Sequence, residues 1–185
     1  VKMRRVKTDE ELALTQRVYN YFSDIHAWTR DYILQYGTDL TDFKVKMAAM
    51  EYGTDLIMKD IKRDGHPHTA VGVRVGIGCR SGIGNAYPHP KQVHHNKIKK
   101  GDSLQVSGVV RIGGQGGELY CPYQIAPWSS EMEKMWEVMA EGSQMQIRMS
   151  STGTRCQDIA EAIHTYQVEN GMQKYLYQRV AHGEG

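Results

Sequence analysis

Residues 104–123 constrain the fold more than any other stretch of the chain. Leu104 to Ile112 alternates in a strand-like way, and Glu118 to Tyr123 does so again after Gly113-Gly114-Gln115-Gly116-Gly117. A glycine-rich link this short joins the two strands of a hairpin, and hairpin strands are antiparallel. A third period-two run, Val71-Gly72-Val73-Arg74-Val75-Gly76-Ile77-Gly78, reads as another strand. The expected strands are therefore 71–79, 103–112 and 117–123.

Helical patterns lie on both sides of these strands. Thr8-Asp9-Glu10-Glu11 is a capping box, followed by Leu12, Leu14, Val18, Tyr19, Phe22, Ile25, Ile33 and Leu34 at mostly three- and four-residue spacing. Gly37 suits the C′ position of that helix, and a second helix is expected from about Thr41. Tyr-Gly-Thr-Asp-Leu occurs at 36–40 and 52–56, which reads as two similar helix-end turns or as chance. Ser81 to Pro90 reads as loop. Ser129 or Ser130 opens a helix to about Ala140, with a short extended piece over Gln144–Met149. Thr154 or Arg155 opens another, closed by Asn170-Gly171, and Leu176 to Ala181 reads as a last strand. Helices, then a hairpin, then helices specify an α+β fold with an antiparallel sheet.

Composition removes several classes. A chain of 185 residues suits one domain, and 40% hydrophobic with 24% charged residues is ordinary globular usage. No apolar run approaches the roughly 18 residues of a membrane span. A net charge of +2 gives no reason to expect nucleic acid. Three scattered cysteines, Cys79, Cys121 and Cys156, form no CxxC pair and fit a reducing compartment, hence a cytoplasmic location. No signal peptide is visible in the opening residues. The chain starts at Val1 without an initiator Met, which fits either processing or a piece of something longer.

Among eight histidines, two stand out. His89 lies between Pro88 and Pro90, which restrict the backbone and so pre-orient the imidazole. His182 precedes Gly183 and Gly185, where a ligand can approach the backbone closely. His66 with His68, and His94 with His95, read as solvated loop residues; His26 and His164 read as helix-face histidines. Gly76-x-Gly78-x-x-x-Gly82 lacks dinucleotide spacing, and no GKS or GKT follows. Lys91 to Lys100 reads as a solvated turn, Met132, Met135, Trp136 and Met139 as a helix-packing face, and Cys121 as a structural thiol.

The order of short motifs resembles the pita-bread hydrolase family of methionine aminopeptidases, aminopeptidase P, prolidase and creatinase. Lys2 to Leu14 resembles its opening, and Ser81-Gly82-x-Gly84-Asn85-Ala86-x-Pro88-His89 resembles its SG-x-N-A-x-PH loop. Gly101-Asp102 resembles its turn before the metal-bearing hairpin, Asp158-Ile159 a helix start, and His182-Gly183-Glu184-Gly185 its His-Gly-Ile-Gly segment. The resemblance implies a twisted antiparallel sheet flanked by helices, with residues 1–185 as a single catalytic domain, incomplete at its C-terminus. It implies hydrolysis of a small amide or dipeptide, often near proline, and dimers among many relatives. It also implies two divalent metals, such as Mn, Co, Fe or Zn, on two Asp, one His and two Glu. By motif position, His89 would contact substrate or move a proton, and His182 would be the metal-ligand histidine.

Two departures bear on that site. The place of the first Asp is Ser107, whose neutral hydroxyl is a poor ligand for a divalent ion. The place of the second is Glu118, which keeps the charge with one more methylene. The resemblance therefore leads to a hydrolase with an eroded metal site, or a creatinase-like enzyme that relies on histidine. The alternative is a non-catalytic pita-bread binding module for a protein or RNA partner.

Overall fold

Thr8 closes the capping box: its Oγ1 accepts from the Glu11 amide at 3.2 Å while Glu11 accepts from the Thr8 amide at 2.9 Å. In this computed structural model, which describes residues 6–63, 72–86, 95–176 and 179–182, that box opens helix α1, Asp9–Tyr36. Gly37 ends it, a 3-10 turn follows over Gly37–Asp39, and Thr41 caps helix α2, Asp42–Arg63. Three strands follow: β1, Val73–Ser81; β2, Ser103–Ile112; and β3, Gln115–Gln124. They form one antiparallel sheet in the order β1-β2-β3. Two more helices complete the described chain: α3, Ser130–Met149, and α4, Cys156–Glu169.

The chain divides into two compact units, one up to Pro127 and one over Trp128–Glu184. In the first, α1 packs along β3 and α2 along β1, both on one face of the sheet. Period-two alternation decides which face. Val75, Ile77, Cys79, Leu104, Val106, Val110 and Ile112 turn toward Val18, Phe22, Ile25, Val45, Ala49 and Ile57 of the helices. The alternate residues make a second, polar face. In the other unit α3 and α4 pair through Val138, Gly142, Ile163 and Gln167.

Four expectations need correction. The second Tyr-Gly-Thr-Asp-Leu is not a helix end but lies inside α2. A Cβ on Gly53 would come within 2.6 Å of Ile25, so glycine there lets α1 and α2 approach. α3 does not stop near Ala140 with an extended piece after it; it continues to Met149. Glu141-Gly142-Ser143 resembles a breaker, but Gly142 is buried at the α4 contact instead of ending the helix. Ser81 to Pro90 is not all loop: Ser81 ends β1 and Gly82–Ala86 is a 3-10 turn. No strand forms over the described part of 176–182, so His182 does not close one. A strand exists only when a neighbour completes its ladder, and the described residues of that segment have none among the described residues.

His26 gives the first unit a pH dependence. The Tyr123 hydroxyl donates to the His26 carbonyl at 3.2 Å, so His26 Nδ1 must be the donor in its 3.0 Å contact with that hydroxyl. Nε2 is then an unprotonated nitrogen, buried without a hydrogen-bond partner among the described residues. Burial pushes the His26 pKa below its ordinary 6.5. The neutral form is favoured in the fold, so its contribution is fully present above about pH 6.5 and is lost as pH falls through the lower folded value. Urea unfolding at pH 7.5 and pH 5 should show lower stability at pH 5, and His26→Phe should shrink that difference. An unchanged difference in the variant would assign the acid sensitivity to other groups.

Candidate functional site

The polar face of the sheet is built by the strand register. Ser107 lies between Gly78 of β1 and Tyr120 of β3, and Glu118 stands opposite Val109, two residues along from Ser107. Side chains two apart on a strand share a face, so Ser107 and Glu118 are diagonal neighbours. Ser107 is only 7% exposed. The Tyr120 hydroxyl donates to Glu118 Oε2 at 3.2 Å.

Arg80 and Gln105 continue this face toward the end of β1. Arg80 Nη1 donates to Gln105 Oε1 at 2.6 Å. A Cβ on Gly78 would lie 3.3 Å from Ser107 Oγ and 3.9 Å from the other guanidinium nitrogen, Arg80 Nη2. The guanidinium therefore leans over the bare backbone of Gly78 toward Ser107. Burial pushes the Arg80 pKa below its ordinary value, and the Tyr120 phenol works in the opposite direction. Sequence reasoning missed Arg80, Gln105 and Tyr120. The signal was available: Val75, Ile77 and Cys79 point into the core, so extending the same alternation by one residue puts Arg80 on the face of Gly76 and Gly78.

Beyond β1, the Gly82–Ala86 turn borders a cavity of about 250 Å³ whose lining includes Ser81, Ile83, Asn96, Lys99 and Asp102. Asp102 holds its own turn by accepting from the Lys99 amide at 2.8 Å. His89 lies outside the described residues. His182 is exposed and belongs to the other unit. His95 is exposed and stacks on Phe43 with ring centroids 4.3 Å apart. Neither strand cysteine is activated as a thiolate. Burial pushes the Cys79 thiol up to about 12, with Asp42 adding to the shift, and burial also raises Cys121.

An antiparallel sheet covered by helices on one face and lined with polar groups on the other is the half-sheet of a pita-bread fold. A model of metallopeptidase family M24 matches residues 43–185, and the chain belongs to that family. Solved structures agree in fold. The chain is similar to the prolidase from Thermococcus sibiricus, with TM-score 0.72 and 15% identity over 94% of this chain and 43% of that one. It is similar to the prolidase from Pyrococcus horikoshii OT3, with TM-score 0.73 and 12% identity over 97% of this chain and 47% of that one. It is also similar to zinc-substituted Escherichia coli aminopeptidase P in complex with product, with TM-score 0.69 and 14% identity over 92% of this chain and 36% of that one. The chain thus spans less than half the length of these relatives. No curated protein matches it. No described helix is long and apolar enough to cross a membrane.

The polar face does not fit the two-metal set that the family resemblance implies. Ser107 offers a neutral hydroxyl, Glu118 is engaged by Tyr120, and a guanidinium leans toward Ser107. Among the described residues, no three His, Cys, Asp or Glu side chains gather where they could hold an ion.

Proposed function

We propose that residues 1–185 are part of one pita-bread hydrolase domain that cleaves a small amide or dipeptide by creatinase-like acid–base chemistry. His89 handles the proton, and His182 stands at the other catalytic position. Glu118 and His182 occupy inherited metal positions, and Ser107 stands where a ligand has been lost. The observation that supports this reading best is the diagonal juxtaposition of Ser107 and Glu118 on the polar face of an M24 sheet. The positions expected to bear the first two carboxylates are neighbours, but only one is acidic.

The chemistry then falls to the chain's own groups. An imidazole with a pKa near neutrality can take a proton from an attacking water and return it to the leaving nitrogen. Glu118 can accept a hydrogen bond from a substrate N–H, and the Tyr120 hydroxyl orients that carboxylate. The direct test is hydrolysis of a panel of Xaa-Pro dipeptides and creatine-like amides by the longest form of the protein. The assays are run with chelator and with added Mn²⁺. Turnover that survives the chelator is expected, and no turnover on any substrate would end the proposal.

Two predictions concern metal. Elemental analysis of the purified, undialysed chain should find well below one equivalent of Mn, Co, Fe or Zn, because a two-metal centre needs several carboxylates to offset its charge. Two tightly held equivalents would show that the ligand positions are misassigned. Ser107→Asp with Glu118→Asp, in a chain extended beyond Gly185, should raise Mn²⁺ affinity in a calorimetric titration, and Ser107→Asp alone should achieve part of it. No gain from either variant would remove Ser107 and Glu118 as inherited ligand positions.

A further inference from the structure

The charges on the polar face have the wrong sign for a cation site. By register, the face carries Arg74 and Arg80 from β1 and Arg111 from β2, with Glu118 from β3. Among the described strand residues that is three guanidinium groups against one carboxylate, and a guanidinium does not give up its proton in a protein. A divalent ion brought beside Arg80 is repelled, whereas an anion is attracted, and more strongly in a half-buried setting than in water.

We propose that this face is a carboxylate seat, in which Arg80 grips the acid group of a small ligand over Gly78 with the Ser107 hydroxyl beside it. Three features support the seat. Gln105 fixes the guanidinium at 2.6 Å, so the donor is ordered before a ligand arrives. Gly76 and Gly78 have no side chains, which leaves the floor of β1 bare next to that donor. Ser107 Oγ and Arg80 Nη2 both lie within 4 Å of the same point above Gly78, where a Cβ would stand. A carboxylate oxygen reaching that floor can therefore accept from both. A planar fork of N–H donors matches a carboxylate better than an ammonium does. The proposal rests on the hydrolase reading only for why a substrate meets this face.

The test measures binding and does not use turnover, so the seat and the hydrolase reading can fail separately. N-acetylglycine is titrated calorimetrically into the chain at fixed ionic strength, against its uncharged counterpart N-acetylglycinamide. The acid should bind about ten- to a hundredfold more tightly, the range expected for hydrogen bonds to a charged group. Arg80→Gln should abolish that preference, and Arg80→Lys should retain part of it. Gln105→Glu should also weaken acid binding by supplying Arg80 with a carboxylate from within the protein, and it decides the matter if Arg80→Gln does not fold. Arg111→Gln, on the same face but away from Gly78, should leave the preference in place. Equal binding of acid and amide, a preference that survives both Arg80→Gln and Gln105→Glu, or loss of acid binding to chloride at equal concentration would each overturn the seat.

Discussion

Gly116→Ala should destabilise the first unit by about 3 kcal/mol or more, the upper end of what overpacking costs. A Cβ at Gly116 would stand 2.0 Å from the Val110 carbonyl oxygen and 3.0 Å from Arg111 Cα, with the backbone at a φ of +152°. All of these neighbours are main-chain atoms of β2, so no rotamer change can relieve the clash. Only parting β2 from β3 can do so. Gly114, two residues earlier, provides the control. Nothing lies within 4 Å of a Cβ there, and its φ of +85° leaves only local strain. Gly114→Ala should therefore cost about 1–2 kcal/mol, the penalty of a left-handed conformation. Urea unfolding of both variants separates the two effects; equal losses would show that close packing of the hairpin is not what requires Gly116. The functional consequence follows from register. β3 carries Glu118 and Tyr120, so any displacement of β3 changes how Glu118 sits beside Ser107.

The hairpin was legible because the two signals it needs are local. Period-two alternation names the strands and the glycines name the turn, although the turn itself is only Gly113-Gly114 and β3 begins at Gln115. The capping box at Thr8 was legible for the same reason, since its partners are three residues apart. The misreadings concern features settled at a distance. Gly142 resembles a break, but α4 covers it, and residues 176–181 resemble a strand, but their described members have no partner among the described residues. The site divides in the same way. The family resemblance singled out Ser107 and Glu118, and the register puts the two on one face. Arg80 was missed because the expected strand ended at 79, one residue short of the guanidinium that leans toward Ser107. His89 and His182 were chosen for their local surroundings and motif positions, and neither feature specifies which groups converge on them.

The second large effect concerns His89. His89 stands between Pro88 and Pro90 at the end of the Ser81–His89 motif and is the proton handler of the proposed mechanism. A positioned acid–base group contributes about 10²–10⁴-fold to rate. His89→Ala in the longest form of the protein should reduce turnover by that factor. Urea unfolding of the variant separates a loss of chemistry from a loss of fold. The pH–rate profile distinguishes the role. If His89 moves the proton, the wild-type profile should contain a limb with an apparent pKa near that of an imidazole, and His89→Ala should lose it. If His89 only contacts substrate, the variant should raise KM and keep the limb. His89→Gln refines the comparison: it preserves hydrogen bonding but cannot shuttle a proton near neutrality, so it should be as slow as alanine. Turnover unchanged in both variants would remove His89 from the mechanism and leave His182 as the remaining candidate for the proton transfer.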